Sequence, residues 1–126
     1  MIVADASAIL AVLFDEHGAD ASEQGISDGA AMSAINVAEV LTRLVDFGAD
    51  LDDAWEAFAS LPITVIDADA TLAVEMARLR PITRAAGLSL GDRACLALGR
   101  LRGEPVLTAD RRWATLDLGV EVRLIR

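Results

Sequence analysis

Four acidic side chains are the residues of this chain best placed to do chemistry: Asp5, Glu39, Asp92 and Asp110. Each closes a short apolar run or lies just inside the helix that follows one. The carboxyl ends of the strands in a parallel α/β sheet form one edge, and ligands bind at that edge. Carboxylates gathered there would offer oxygen donors to a hard divalent cation such as Mg²⁺ or Mn²⁺. The spacing therefore predicts a metal site suited to cleaving phosphodiester bonds.

The roles within this predicted site follow from electrostatics. Two carboxylates about 4 Å apart repel by roughly 4 kcal/mol at an effective dielectric constant of 20, so converging acids need bound protons or a cation. We expect Asp5, Asp92 and Asp110 to hold one or two metal ions. Glu39 would bind a second ion or hold the attacking water as a base. If the acids repel one another, Asp110→Asn should stabilise the metal-free protein.

Each acid also has a structural interpretation. Asp5 and Asp110 are at positions where aspartate caps a helix N-terminus. Ser89 and Asp92 have the spacing of a capping box. Glu39 is the exception, because it lies in the second turn of its predicted helix, too late to cap it. The structural and chemical interpretations both stay open for the other three.

Three polar side chains stand beside the acids. Ser7 and Thr108 precede or follow an acid by two residues, and Asn36 lies one helical turn before Glu39. Their hydroxyl and amide groups would orient the metal-binding carboxylates. Ordinary hydrogen bonding at turns and helix ends explains the same residues equally well.

The charge of the chain argues against an open basic surface for nucleic acid. The formal net charge is −9, and all eleven basic side chains are arginines. Phosphate binding favours basic faces, although bound metal would offset several of the acids. Arg93, Arg111 and Arg112 follow the predicted catalytic acids directly, and we take them as candidate RNA contacts. An acidic surface also suits a basic protein partner.

Short strands and helices alternate along the whole chain. This pattern predicts an α/β fold, a three-layer α/β/α sandwich with a central parallel sheet, and one domain over residues 1–126. Cys95 lies in an apolar run and is expected in the core, and His17 is expected in a solvated loop. We predict strands over 2–4, 31–32, 63–66, 105–107 and 120–124, and helices over 7–14, 18–27, 34–47, 51–61, 69–80, 82–86, 90–102 and 111–116, with a break at Pro81.

The cellular setting is expected to be the cytoplasm. No apolar run reaches the roughly 18 residues that a membrane span needs. The chain begins with a strand-like run and has no basic segment of a signal peptide. Its single cysteine cannot form an internal disulfide, which fits a reducing compartment.

Around the four acids, the sequence resembles a known family. The segments 1–8, 36–41, 89–97 and 107–110 are similar, in order, to the four acidic motifs of PIN-domain ribonucleases, and above all to the toxins of VapBC-type toxin–antitoxin pairs. The resemblance covers the whole chain. It implies a Mg²⁺- or Mn²⁺-dependent endoribonuclease in which Asp5, Glu39, Asp92 and Asp110 are catalytic. It also implies a homodimer inhibited by a small antitoxin whose basic tail enters the active-site groove.

Three alternatives remain at this point. One is a housekeeping PIN nuclease that processes RNA, and another is a non-catalytic binding module on the same fold. The third is a phosphatase of the haloacid dehalogenase type, which also has an aspartate after its first strand. That family requires a second aspartate two residues on, where this chain has Ser7, and it usually uses a lysine, which this chain lacks.

Overall fold

The centre of the protein is a parallel sheet of five strands. The computed structural model describes residues 1–126, and the strand order is β3-β2-β1-β4-β5. β1 is central and pairs with both β2 and β4, while β5 lies at an edge as predicted. The strands are β1 (Ile2–Ala4), β2 (Ala30–Ser33), β3 (Ile63–Ile66), β4 (Val106–Thr108) and β5 (Val122–Leu124).

Helices connect the strands and cover both faces of the sheet. Seven α-helices and one 3₁₀ helix are present. The 3₁₀ helix, Arg111–Thr115, replaces the α-helix predicted over 111–116. The α-helices are α1 (Ala6–Leu13), α2 (Ala19–Ile26), α3 (Ala34–Asp46), α4 (Leu51–Ala59), α5 (Ala70–Arg78), α6 (Arg80–Thr83) and α7 (Leu90–Arg102).

Two hydrophobic clusters, one on each face, confirm the predicted three layers. Side chains alternate between the faces of a strand, so Ile2 and Ala4 of β1 join one cluster while Val3 joins the other. The first cluster packs α1, α3 and α4 against the sheet, with Phe58 fully buried. The second packs α5, α7 and the 3₁₀ helix against the opposite face, around Trp113.

The chain follows most of its predicted local signals, with different bounds at several elements, among them α6 and β5. Cys95 is fully buried in α7, as expected, and His17 is exposed. The helix break predicted at Pro81 falls instead at Leu79, because Pro81 lies in the first turn of α6, where its missing N–H costs no helical hydrogen bond. No helix here combines the length and apolar character needed to cross a bilayer.

Sheet register brings the first and last acidic motifs together. Ala4 of β1 is paired with Leu107 of β4, and the Asp5 amide donates a hydrogen bond to the Leu107 carbonyl at 2.9 Å. The residues that follow, Asp5 and Thr108, therefore leave the sheet side by side at its carboxyl edge. β2 ends at Ser33 on the same edge, so α3 begins there too.

Candidate active site

An open groove of about 670 Å³ lies at the carboxyl edge of the sheet. Three of the four predicted acids, Asp5, Glu39 and Asp92, line it. They come from the end of β1, the second turn of α3 and the first turn of α7. Residues distant in sequence thus bring three carboxylates to one groove; the motif spacing predicted four, and Asp110 is not among the lining residues.

Asp5 is buried beneath the groove and held by two hydroxyl groups. Its side chain is only 5% exposed. Ser7 Oγ and Thr108 Oγ1 both donate to Asp5 Oδ2, at 2.6 and 2.9 Å. Asp5 stands at the N-cap position of α1 but makes no side-chain capping bond, so the capping interpretation is wrong for this residue. Its carboxylate is not used to stabilise the helix.

Burial makes Asp5 hard to ionise. Removal from water raises the pKa of its carboxyl group to about 6, and the charges of Asp92 and Glu39 add to that rise. The hydrogen bonds from Ser7 and Thr108 favour the charged form, and burial outweighs them. Metal-free Asp5 is thus a destabilised anion, as expected of a carboxylate whose charge is meant to be balanced by a ligand.

Ser7 and Thr108 also connect Asp5 to the fourth motif. Ser7 Oγ accepts a hydrogen bond from the Ala109 amide at 2.9 Å, and Thr108 Oγ1 accepts one from the Asp110 amide at 3.0 Å. These hydroxyls therefore fix the loop after β4 relative to Asp5. Their contacts go beyond the local turn bonding that was the other interpretation.

Glu39 is tied to α7 through Asn36. The buried Asn36 donates from Nδ2 to Glu39 Oε1 at 2.7 Å and to the Gly91 carbonyl at 2.9 Å. Ser33 Oγ donates to Asn36 Oδ1 at 2.9 Å and so fixes the orientation of the amide. Partial desolvation, followed by the charge of Asp92, raises the pKa of Glu39 above its usual value, although the bond from Asn36 opposes the rise.

Asp92 both caps the N-terminus of α7 and lines the groove. The Ser89 amide donates to Asp92 Oδ2 at 2.8 Å, and the Asp92 amide donates to Ser89 Oγ at 3.1 Å. This is the capping box that the sequence indicated. The cap fixes the carboxylate on the wall of the groove, so here the two interpretations are compatible.

Asp110 differs from the other acids because it is already paired. The Arg112 side chain donates from Nε to Asp110 Oδ1 at 3.0 Å and from Nη2 to Asp110 Oδ2 at 2.6 Å. The Arg112 backbone amide also donates to Asp110 Oδ1, at 3.0 Å. These bonds lower the pKa of Asp110. The expectation that Asp110→Asn would stabilise the metal-free protein is therefore wrong in its premise, since Asp110 is held by an attractive contact.

Of the three arginines proposed to contact RNA, only Arg112 lies among the acids. Its Nη2 is 3.8 Å from Asp92 Oδ2, and its Nη1 donates to the Ala86 carbonyl at 2.8 Å. Arg93 donates to the Met76 carbonyl at 3.1 Å, toward α5. Arg111 donates to the Arg126 carbonyl at 2.9 Å. The sequence predicted all three arginines near the acids; Arg112 contacts Asp110 and Asp92, whereas Arg93 and Arg111 bond to backbone carbonyl groups.

Two basic residues of the groove were missed. Arg43 and Arg126 both line it. Arg43 follows Glu39 by four residues on α3, so helical spacing alone would have placed both on one face. Arg126 has no such signal, because the tertiary fold brings the chain end to the groove, where Arg126 Nη1 donates to the His17 carbonyl at 2.6 Å.

The donor chemistry of the groove fits a divalent cation such as Mg²⁺ or Mn²⁺. Asp5, Glu39 and Asp92 supply only carboxylate oxygens, the ligands these ions prefer. Both hydroxyl bonds to Asp5 go to Oδ2, so Oδ1 is free of them. The acids do not form a complete metal site, however, because no group of three acidic, histidine or cysteine side chains has the spacing needed to hold a metal ion. Binding a cation would need these side chains to move closer together.

Comparisons with known proteins show which family this chain matches. The sequence profile of the PIN domain family matches residues 2–118. The chain is 30% identical over 125 residues to a Ribonuclease VapC of Mycolicibacterium smegmatis, and the match covers 93% of this chain and 97% of that protein.

Solved structures share the fold over nearly their whole length. A member of the VapBC family of toxin–antitoxin systems from Mycobacterium tuberculosis, VapBC-5, is 26% identical with a TM-score of 0.62, covering 98% of this chain and 96% of that one. VapBC2 from Rickettsia felis, solved with a DNA fragment from its promoter, has a TM-score of 0.76 at 13% identity, covering 98% of each chain.

Proposed function

This chain belongs to the PIN domain family and, within it, to the VapC ribonucleases, and we propose that it is a Mg²⁺- or Mn²⁺-dependent endoribonuclease that acts as the toxin of a toxin–antitoxin pair. One observation carries the proposal. Asp5, a buried carboxylate with a raised pKa, shares a groove at the carboxyl edge of the sheet with Glu39 and Asp92. A purely structural acid has no reason to be kept there at such an electrostatic cost.

Asp5, Asp92 and Asp110 would hold the metal. The ion, when bound, supplies Lewis acidity toward a phosphate oxygen and makes a water molecule more acidic. Ser7 and Thr108 hold Asp5 Oδ2, which leaves Oδ1 to serve as a ligand. Asp110 would exchange part of its contact with Arg112 for the metal, and the freed guanidinium would be available to a phosphate.

Glu39 would act as the base toward the attacking water. A general base works best when its pKa lies near the operating pH, and the pKa of Glu39 is shifted in that direction. Asn36 holds Oε1, so the other carboxylate oxygen, Oε2, remains to accept the proton. Because Asn36 also holds the Gly91 carbonyl, the base is fixed relative to Asp92.

The partners follow from charge and family. RNA is the proposed substrate, and a small antitoxin with a basic tail is the proposed inhibitor, because a net charge of −9 favours a cationic segment. The relative from Mycobacterium tuberculosis is a member of a toxin–antitoxin system. We also propose that the protein forms a homodimer and works in the cytoplasm.

Divalent metal should stabilise the native protein. Binding to the native state alone adds about 2.7 kcal/mol when the free ion is at 100 times its Kd, which corresponds to a rise of about 10 °C in Tm for a chain of this size. Asp5→Asn and Asp92→Asn should remove most of that rise. Differential scanning fluorimetry across millimolar Mn²⁺ measures it.

The matched control for this experiment is Asp28→Asn. Asp28 is an exposed turn residue before β2, at the opposite edge of the sheet from the groove, and its substitution changes the charge equally. It should keep the full response to Mn²⁺. A Tm that Mn²⁺ leaves unchanged in the unsubstituted protein would contradict the proposed metal site.

Arg112 should contribute to RNA binding while Arg93 should not. Loss of one phosphate contact weakens binding and reduces the slope of log K against log salt by about one unit. We therefore expect Arg112→Ala to flatten the salt dependence, and Arg93→Ala, which removes a side chain facing α5, to leave it unchanged. Fluorescence anisotropy on a catalytically inactive background at several salt concentrations measures both. Equal slopes for the two variants would count against the assignment of Arg112.

A further inference from the structure

Gly91, in the first turn of α7, lies directly against the carboxylate of Glu39. A Cβ atom built on Gly91 would have its three nearest neighbours all within Glu39, including Cδ at 2.5 Å and Oε1 at 2.6 Å. Real Cβ atoms do not approach other heavy atoms so closely. The carboxylate of Glu39 therefore occupies the space that any side chain at position 91 would need.

Asn36 shows independently that this approach is built into the fold. One amide nitrogen, Nδ2, bonds both the Glu39 carboxylate and the Gly91 carbonyl. Asn36 is fully buried and is itself held by Ser33, so it has little freedom to follow a displaced partner. α3 and α7 are thus joined at the point where Glu39 meets Gly91.

Backbone conformation does not explain a glycine here. Gly91 is not among the glycines with positive φ, and glycine is a poorer helix former than alanine. Helix stability alone would favour alanine at this position. What only glycine permits is the close approach of Glu39.

We infer that Gly91 is a positioning residue, whose missing side chain lets Glu39 lie beside Asp92 on the groove. The consequence for catalysis rests on the proposed nuclease function. The Glu39 carboxylate is the far end of a flexible side chain at the edge of the groove, so a methyl group at position 91 should displace the carboxylate and leave the backbone in place. Gly91→Ala should therefore displace the proposed general base, Glu39, without disrupting the fold.

Gly99, two turns further along α7, provides the opposite case. A Cβ there would meet Val106 Cγ1 at 2.5 Å and the Glu104 carbonyl oxygen at 3.2 Å. These atoms belong to the packed core and to the backbone, and they cannot move aside freely. Gly99→Ala should lower stability and leave the position of Glu39 unchanged.

The test compares Gly91→Ala, Gly99→Ala, Glu39→Gln and the double variant Gly91→Ala/Glu39→Gln. We expect Gly91→Ala to lower kcat by about 100-fold, the usual contribution of a general base, with a smaller change in KM. The double variant should be no slower than Glu39→Gln alone, because both substitutions remove the same group. Tm of the metal-free protein should stay the same or rise by about 2–5 °C in Gly91→Ala and should fall in Gly99→Ala.

A metal-free measurement separates this inference from the proposed function. The ¹³C chemical shift of the Glu39 carboxyl group should change in Gly91→Ala and stay constant in Gly99→Ala, whether or not the protein cleaves RNA. An unchanged shift, or losses of kcat that multiply in the double variant, would overturn the role of Gly91. A changed shift in a protein that neither binds Mn²⁺ nor cleaves RNA would uphold the positioning of Glu39 and reject the nuclease.

Discussion

Asp5→Asn is expected to raise the Tm of the metal-free protein at pH 7 while abolishing RNA cleavage. The pKa of Asp5 is about 6 in the native state against 3.8 for the free side chain. Above pH 6 the native protein must therefore hold a charge that its unfolded chain carries more easily. The difference of about two pH units corresponds to about 3 kcal/mol, or roughly 10 °C in Tm.

The pH dependence has a defined sign. Between about pH 4 and pH 6 the native state binds more protons at Asp5 than the unfolded state does, so the Asp5 contribution makes the free energy of unfolding fall as pH rises. The amide that replaces the carboxyl group in Asp5→Asn has no such proton. The stability gained by the substitution should thus be largest at pH 7 and absent below pH 4. Urea unfolding of both proteins from pH 3.5 to pH 7.5 measures this.

Asp110→Asn is the control, because it makes the same change in net charge with the opposite expected sign. The pKa of Asp110 is lowered, chiefly by its bonds with Arg112, so ionised Asp110 stabilises the native state above the unfolded pKa and this is lost as pH falls. Substitution should lower Tm modestly. If both variants gained stability equally, relief of the general charge of −9 would explain the result, and burial of Asp5 would not.

Cleavage should fall by about 1,000-fold or more in Asp5→Asn, because a carboxylate that binds the proposed metal would contribute several kcal/mol to stabilising the transition state. A variant that is more stable and inactive has the signature of a functional site that is strained in its free state. An Asp5→Asn protein that retained full activity would show that Asp5 is not a metal ligand.

Much of the local structure could be predicted because its signals are local. α7 has the predicted bounds, since the Ser89–Asp92 capping box starts it and Gly103, in the left-handed region, ends it. β3 also has its predicted bounds. Strand order was not predicted, because it depends on which strands meet in space and a single sequence does not contain that information directly.

The errors within the site have physical causes as well. A 3₁₀ helix replaces the α-helix predicted after Asp110, and Arg112, two residues along the chain, is near enough to pair with the Asp110 carboxylate. A role for Gly91 was not predicted from the sequence, because a glycine inside a helix indicates only a loss of helix stability. Its contact with Glu39 arises where α3 packs on α7, and only tertiary structure reveals it.

The remaining large effect is expected in the cell. Expression of this chain alone should arrest bacterial growth, because the groove proposed to cleave RNA is open to solvent and nothing in the structure covers it. Asp5→Asn and Glu39→Gln should restore growth, and Asp28→Asn should stay toxic at the same protein level. Viable counts after induction, with immunoblots to match expression, measure this.

Co-expression with the neighbouring reading frame should restore growth without any substitution. Arg112 already shows within the chain how a guanidinium binds these acids: it makes three hydrogen bonds with the Asp110 carboxylate, and its Nη2 is 3.8 Å from Asp92 Oδ2. An arginine in the tail of an antitoxin would bind Asp5 and Asp92 in the same way and replace the charge of the metal. The two proteins should co-purify, and RNase activity should return when the partner is removed. A chain that cleaves RNA when purified, has no protein bound to it and does not harm the cells that express it would contradict the toxin role. It would indicate a housekeeping role in RNA processing, because the groove would then be active in the cell without an inhibitor.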